Sequence, residues 1–508
     1  MTRYIATPLP FPFEPIPLRA GGFEPALVPA IVAAAGTESA RAALADPNVL
    51  VVTTGQQPGL FLGPLYTIHK ALSAALLARR LSARWNRPVV PIFWVAGDDH
   101  DFAEAASASW LNSGGELVTR VLRQRDPAAP QLPMYREALG PDITAALDAL
   151  TQDLPPSEFR EMTLAWLGRH FTVEATMSSA YAGALAELLG PLGVLCFDST
   201  QSAVKQLAAP VLLKALRAHR DLATALAAAD ARLKSGGHDA GIAVGDDATL
   251  VMVEGRLGRD RLIADAAGFT ARRSGERFTI QDLELMARAE PTRLSANVLL
   301  RPVLESVLLP TVAYVAGPGE LRYLRLTPPI YQQLGIHRQT PVPRWSGLVV
   351  ETRVDRALEK FGATIEELLA PAPGLEARVL RSQLPAAATD ALNQLAAAGE
   401  SAFTALAAAA HDIDPTLDRP VQNAKTQVVS ATADLEKKLI QHLRKRGETE
   451  LGQIVRSRTA LQPAGKPQER LLGIAPFLSR YGDGFLAELS GAMEPWVEQA
   501  LEGAAPPA

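Results

Sequence analysis

The stretch VVTTGQQPGLFLGPLYTIHK, Val51 to Lys70, decides the fold class of this chain. An apolar, β-branched run that stops at Gly55 suits a strand covered on both faces, which is the habit of parallel sheets. A glycine-rich turn follows, and Gly63-Pro64 then opens a helical pattern, with Pro64 expected at the first helical position, where its missing amide costs nothing. Such a helix start offers amide donors and a positive dipole end to phosphate or carboxylate. Thr67, His69 and Lys70, in the first two turns, add a hydroxyl, an imidazole and a cation. Leu65, Ile68, Leu72 and Leu76 mark the buried stripe, leaving His69 on its border toward a pocket mouth and Lys70 turned away from its centre.

Working outward, three further apolar runs end in polar or glycine clusters. Val89 to Ala96 leads into Gly97-Asp98-Asp99-His100-Asp101, Gly193 to Phe197 into Asp198-Ser199-Thr200-Gln201, and Thr311 to Val315 into Gly317-Pro318-Gly319-Glu320. With Asn48 to Thr53 ending at Gly55-Gln56-Gln57, these make four strand ends, and in an open parallel sheet ligands lie beyond such ends. The expectation is an α/β fold: a doubly wound parallel-sheet core over residues 1–350, with connecting insertions at about 115–185 and 230–290. The second insertion, with TLVMVEG, DRLIADA and ERFTI, reads as hairpins. From 351 to 460 the texture becomes alanine-rich, charged and helical, and Leu417, Val421, Ala424, Val428, Ala431, Leu435 and Leu439 follow the three-and-four spacing of the seam of an antiparallel hairpin or a coiled coil. That long α-helical coiled-coil domain is expected to make a homodimer, while the tail from 461 to 508 returns to the core.

Composition bounds the function classes. The 508 residues are 48% hydrophobic and 20% charged, enough for more than one core. Formal net charge is -4 with basic residues dispersed, which argues against a nucleic-acid or membrane surface. The proline-broken N-terminus, MTRYIATPLPFPFEPIPLRAGG, lacks the apolar segment of a signal peptide, and the chain is expected to be cytoplasmic. A single cysteine, Cys196, allows no intrachain disulfide, and its setting in VLCFDS favours packing over nucleophilic use.

Crowded carboxylates beside a histidine, as in Asp98-Asp99-His100-Asp101, are the ingredients of acid-base chemistry. Alternate residues diverge, and no second ligand cluster accompanies them, so no metal is expected; a metal-dependent hydrolase built on this cluster is one alternative. A second is a dimeric binding or scaffold protein without turnover. Elsewhere, Arg301 suits bidentate capture of a carboxylate, Gly319 allows backbone approach, and Glu320 can hold an amine.

Taken together, TTGQQPGLFLGPLYTIHKA, PIFWVAGDDHDFAE, LSANVLLRPVLESVLLPTVAYVAGPGELRYL and GKPQERLLGIAPFLSRYG resemble the bacillithiol biosynthesis cysteine-adding enzyme family, BshC, over nearly the whole chain. The resemblance implies a Rossmann-like core with connecting insertions, a long helical coiled-coil domain that dimerises, and a ligase that joins cysteine to glucosaminyl malate by an amide bond. By block it implies pocket roles for Gln56, Gln57, His69, Lys70, Asp98, Asp99, His100, Asn297, Arg301, Glu320 and Tyr323. His69, Asp98, Asp99 and His100 are the catalytic candidates; Gly55, Gln56, Gln57, Gly59, Thr67, Lys70, Asn297, Arg301, Gly317, Gly319, Glu320 and Tyr323 are the substrate- or nucleotide-binding candidates. Gly236-Gly237-His238 departs from the family's pattern, so His238 is given no substrate role. Amide formation needs a better leaving group than oxide, so ATP or another nucleotide is expected to activate the cysteine carboxyl, although no His-x-Gly-His signature is present.

Overall fold

In the computed structural model, residues 2–243, 245, 248–266, 268–444, 447–502 and 504 are described. They form two compact units, one comprising residues 4–349 and 466–508, the other residues 1–3 and 350–465. In the larger unit, five parallel strands form the central sheet in the spatial order Thr340–Pro343, Thr311–Ala316, Leu50–Gln56, Val89–Val95, Leu195–Asp198. The chain therefore winds outward in both directions from the contact between Leu50–Gln56 and Thr311–Ala316. That contact is the topological switch point, the place where open α/β sheets hold ligands.

Packing explains why these runs became strands. Val51, Val52, Ile92, Phe93, Phe197, Val312 and Val315 are fully buried, and the Trp94 and Phe197 rings lie 5.2 Å apart on one face. Helix Tyr66–Trp85 is itself buried over most of its length and ends in a left-handed Asn86. The fifth strand was not legible in the sequence because Thr340-Pro341-Val342-Pro343 carries two prolines; at the sheet edge, each missing donor faces away from the ladder.

Both insertions differ in detail from expectation. The first contains a hairpin, Ser107–Leu111 with Leu117–Val121, ahead of helices Asp142–Asp153, Arg160–His170 and Met177–Leu189. The second builds a five-stranded antiparallel sheet from Ala248–Gly255, Gly258–Asp265, Gly268–Ala271, Arg277–Phe278 and Leu294–Ala296. Leu294–Ala296 pairs with Ala248–Gly255, which draws the segment before Arg301 into the insertion sheet.

In the smaller unit, Ala386–Ile413 and Asp418–Leu443 are joined by the short turn Pro415–Leu417. Ion pairs Lys425–Glu400, at 2.6 Å, and His411–Asp418, at 3.0 Å, fix them as an antiparallel hairpin. The helical sequence after this turn is divided in two, Asp418–Leu443 being followed by Glu448–Leu461 after Gly447. Asp418–Leu443 buries no residue, and Val428, Val429 and Leu435 stay exposed. Among the described residues, no helix is long and apolar enough to cross a membrane.

Gly55 pairs with Trp94 across the sheet, and a Cβ built there would lie 2.7 Å from the Trp94 carbonyl oxygen. A side chain at this position must push apart two buried strands next to the switch point. Gly55→Ala is expected to cost about 1–3 kcal/mol, read as a lower denaturant midpoint with an unchanged slope.

Candidate functional site

A cavity of about 700 Å³ opens at the carboxyl ends of the strands. Its wall takes Gly55, Gln56 and Gln57 from one strand end, Asp98, Asp99 and His100 from the next, Ser199 from the third, and Gly317, Gly319 and Glu320 from the fourth. Asn297, Arg301 and Tyr323 also face it. Among the described residues, seven basic side chains line it (Lys70, Lys205, Arg259, Arg261, Arg301, Arg344 and Arg470) against four carboxylates, those of Asp98, Asp99, Glu104 and Glu320. That excess suits an anionic ligand even though the whole chain is slightly acidic.

At the switch point, Lys70 ties the two sides together. Its Nζ donates to the Gly55 carbonyl, to Glu320 Oε2 at 2.7 Å and to Gln56 Oε1 at 3.4 Å. Glu320 also accepts from the Tyr314 hydroxyl and, at 2.7 Å, from the amide of Gly317, so it caps its own helix while holding an amine. Burial pushes the Lys70 ammonium down and Glu320 pulls it up. For Glu320, burial acts to raise the carboxyl, and Lys70 with the Tyr314 and Gly317 donors holds it below its ordinary value. Lys70 was expected to turn away from the buried stripe; it is instead fully buried, because a partnered charge can be accommodated there.

Arg301 lies 4.8 Å above the Tyr314 ring and bonds Glu305 at 2.7 Å; Glu305 in turn accepts from the Thr53 hydroxyl. Its Nη2 is buried and meets no acceptor at full hydrogen-bond geometry among the described residues, although the Tyr323 phenol interacts with the guanidinium. A buried, unpaired guanidinium donor on a cavity wall is costly unless a ligand completes it. Asn297 is spent locally, its Oδ1 accepting from the amides of Leu299 and Leu300 at 3.0 Å each.

The acidic cluster is divided by function. Asp98 is engaged by Lys205 Nζ through both oxygens, at 2.5 and 2.6 Å. Asp99 Oδ1 accepts the amides of His100 and Asp101, at 2.6 and 3.2 Å, and the side chain remains 38% exposed. Asp101 caps the short helix Phe102–Ala105 and lies off the main cavity wall. Arg259 Nη1 stands 3.0 Å from His100 Nδ1, with its other nitrogens fixed on Ser295 and the Ala296 carbonyl. Since guanidinium only donates, Nδ1 must be the unprotonated nitrogen. Burial first and Arg259 second push the imidazole below its ordinary value. Among the described residues, no group of three His, Cys, Asp or Glu side chains converges to hold a metal ion.

Three candidates stand elsewhere. His69 is fully buried and off the cavity wall; its Nδ1 bonds Glu469 Oε2 at 2.9 Å and its ring packs edge-on against Trp345 at 4.9 Å. Thr67 is buried within the core, and Gly59 precedes the turn Leu60–Leu62, neither reaching the cavity. The helix begins at Tyr66 rather than Pro64, because the returning tail competes for its start: Pro64 bridges Gly473 and the Leu65 amide donates to Leu472. With the Thr67 amide also bonded, to the Pro64 carbonyl, the start of this helix is not the open anion cradle read from the sequence. Cys196 is buried with its thiol pushed up by desolvation, and His238 is exposed away from the cavity.

What sequence reasoning missed comes from outside the four strand ends. Lys205 and Arg259 arrive from a helix and an insertion strand, and Arg344, Glu469 and Arg470 from the edge strand's exit and the tail. Glu469 and Arg470 stand in the GKPQERLLG block that carried the resemblance, the one signal available for them.

Burial pushes His69 below its ordinary value more strongly than Glu469 raises it, and its Nε2 has no partner among the described residues. Protonating that nitrogen would strand a donor in the core. The folded form therefore binds the proton less well than the unfolded chain, whose imidazole titrates near ~6.5. Stability should be constant above that pH and fall as pH drops through and below it. Melting temperatures between about pH 7.5 and 5 should decline in the wild type and decline less in His69→Gln.

The sequence comparisons agree with this architecture. Residues 30–345 match the family model for the bacillithiol biosynthesis BshC N-terminal Rossmann-like domain, and residues 347–499 match its C-terminal coiled-coil domain. A protein of Heliobacterium modesticaldum named "Putative cysteine ligase BshC" is 32% identical over 461 residues, covering 90% of this chain and 83% of the relative. Relatives of the same name from Symbiobacterium thermophilum and Prosthecochloris aestuarii are 31% and 30% identical, covering 92% and 88% of this chain and 86% and 81% of their own lengths. With a parallel-sheet core, a helical hairpin unit and matches across nearly its whole length, this chain belongs to the bacillithiol biosynthesis BshC family.

Proposed function

We propose that this protein is a cysteine ligase of bacillithiol biosynthesis that joins the carboxyl group of cysteine to the amino group of glucosaminyl malate. The observation that carries the reading is the basic cavity at the switch point, whose Arg301 Nη2 is a buried donor that meets no acceptor at full hydrogen-bond geometry among the described residues. Malate brings carboxylates, and Arg301 is placed to complete one of them, while Lys70, already neutralised by Glu320, shapes the floor.

A nucleotide would convert the cysteine carboxyl into an acyl group with a good leaving oxygen. The donor set fits its phosphates on the Arg259 and Arg261 side of the wall rather than at the start of the Tyr66–Trp85 helix, where the Leu65 and Thr67 amides are engaged. As the amine attacks, the new C–N bond forms, the acyl C–O bond breaks, and the ammonium proton must leave. Of the four catalytic candidates, Asp99 is the group suited to take it. Asp98 is saturated by Lys205, His100 Nδ1 is occupied by Arg259, and His69 is sealed in the core.

The helical unit supplies the second part of the proposal. Its long hairpin leaves Val428, Val429 and Leu435 uncovered in one chain, and an apolar seam of that spacing suits pairing with a second copy. The cytoplasm is the compartment in which such a dimer would meet cysteine and glucosaminyl malate.

Mass spectrometry of the protein with cysteine and glucosaminyl malate should show the amide product in the presence of ATP. Absence of product with and without ATP would remove the ligase reading. Asp99→Asn should lower the rate at least tenfold, about 1.4 kcal/mol of barrier, in a protein that remains folded. In sedimentation analysis, a Val428→Glu and Leu435→Glu double variant should run as a monomer where the wild type runs as a dimer.

A further inference from the structure

The tail segment that closes on the core does more than cover it. In the turn Gln468–Arg470, neighbouring residues point to different places: Glu469 is buried, whereas Arg470 is exposed on the cavity wall. Both oxygens of Glu469 are saturated. Oε1 accepts from Arg344 Nη2 at 2.6 Å and Ser346 Oγ at 2.8 Å, and Oε2 from Arg344 Nη1 at 2.8 Å and His69 Nδ1 at 2.9 Å. A fork held at both prongs in a buried setting cannot swing, so the direction of the Arg344 guanidinium is dictated by Glu469.

Arg344 Nη1 also donates to the Trp345 carbonyl at 2.7 Å, which leaves Arg344 Nε as the guanidinium nitrogen that is buried and without a partner among the described residues. It lies 3.7 Å from the point where a Cβ on Gly317 would stand, with Glu320 Oε2 3.4 Å from the same point. Gly317 has φ -81°, an ordinary value for any residue, so the backbone does not demand glycine there. What glycine provides is room beside the unpartnered Arg344 Nε. Arg344 also lies 5.9 Å from the centre of the Tyr66 ring, and Tyr66, Arg344 and Arg470 all line the same cavity.

We propose that Arg344 and Arg470 form a carboxylate subsite of this cavity, with Glu469 as the positioning residue that aims Arg344 and Gly317 as the bare surface against which the carboxylate rests. Its ligand class is a small dicarboxylate, and the assignment of that ligand to the malyl end of the acceptor rests on the ligase reading above. Arg301 takes one carboxylate and the Arg344–Arg470 pair takes the other.

The test uses the full-length protein and malate itself as probe, followed by calorimetry, beside steady-state rates with glucosaminyl malate. Arg470→Ala and Gly317→Ala should each weaken malate binding at least about tenfold, as loss of a charged hydrogen-bonding contact does, and raise KM for glucosaminyl malate while leaving kcat little changed. Malate diamide, which lacks the charges, should not distinguish these variants from the wild type. Glu469→Gln should raise KM in the same way; a variant that melts lower yet keeps the wild-type KM and malate affinity would reduce Glu469 to a structural role and overturn its assignment. Undiminished malate binding in Arg470→Ala and Gly317→Ala, or no binding by the wild type, overturns the subsite. If no ligase product forms but malate binding is lost in Arg470→Ala, the subsite stands and the ligase reading falls.

Discussion

The fully buried ammonium of Lys70 is the constraint around which this site is organised. It reaches from the Tyr66–Trp85 helix to the Gly55 carbonyl on one strand end and the Glu320 carboxylate beyond another, bridging the place where the winding of the sheet reverses. A charge without water must be compensated at short range, and here the compensation comes from groups belonging to both halves of the sheet. The two strand ends are held together by the same contacts that neutralise the cation. Ligand-binding groups on either side thus inherit a fixed separation before any ligand arrives.

Around that centre, the remaining charges form a chain of paired groups. Thr53 donates to Glu305, Glu305 holds Arg301, and Arg301 covers the face of Tyr314, whose hydroxyl returns to Glu320. On the other side, His69, Glu469 and Arg344 make a second buried set. Among the described residues, each set leaves one guanidinium nitrogen unsatisfied, Arg301 Nη2 in the first and Arg344 Nε in the second. Evenly balanced networks with single open donors are a way to present hydrogen bonds to an anion without leaving an unpaired charge in its absence.

Most of the polar clusters read from the strand ends do line the cavity, because a strand that terminates in a parallel sheet has one end from which ligands can be reached. Periodicity could not rank the residues within a cluster. Asp98 and Asp99 are adjacent and chemically identical, yet Lys205 occupies one and leaves the other half open. Nor could it separate His69 from Lys70. A position on the border of a helical stripe becomes pocket-facing or sealed according to what packs on it, and the tail segment carrying Glu469 settled the matter for His69.

The order of apolar runs and glycine clusters by itself determined the doubly wound core, because a β-branched run ending in glycine has few other uses than a buried parallel strand. The alanine-rich heptad-like spacing likewise determined the helical hairpin, and the long matching blocks determined the family. Only the tertiary structure decided the proline-bearing edge strand, the capture of the helix start by Leu472 and Gly473, and the arrival of Lys205, Arg259, Arg344 and Arg470 at the cavity. Local pattern fixes what a segment can become, since backbone sterics and burial act over a few residues. Which buried charge meets which partner depends on contacts as much as 400 residues apart along the chain, as for His69 and Glu469, and no local spacing records them.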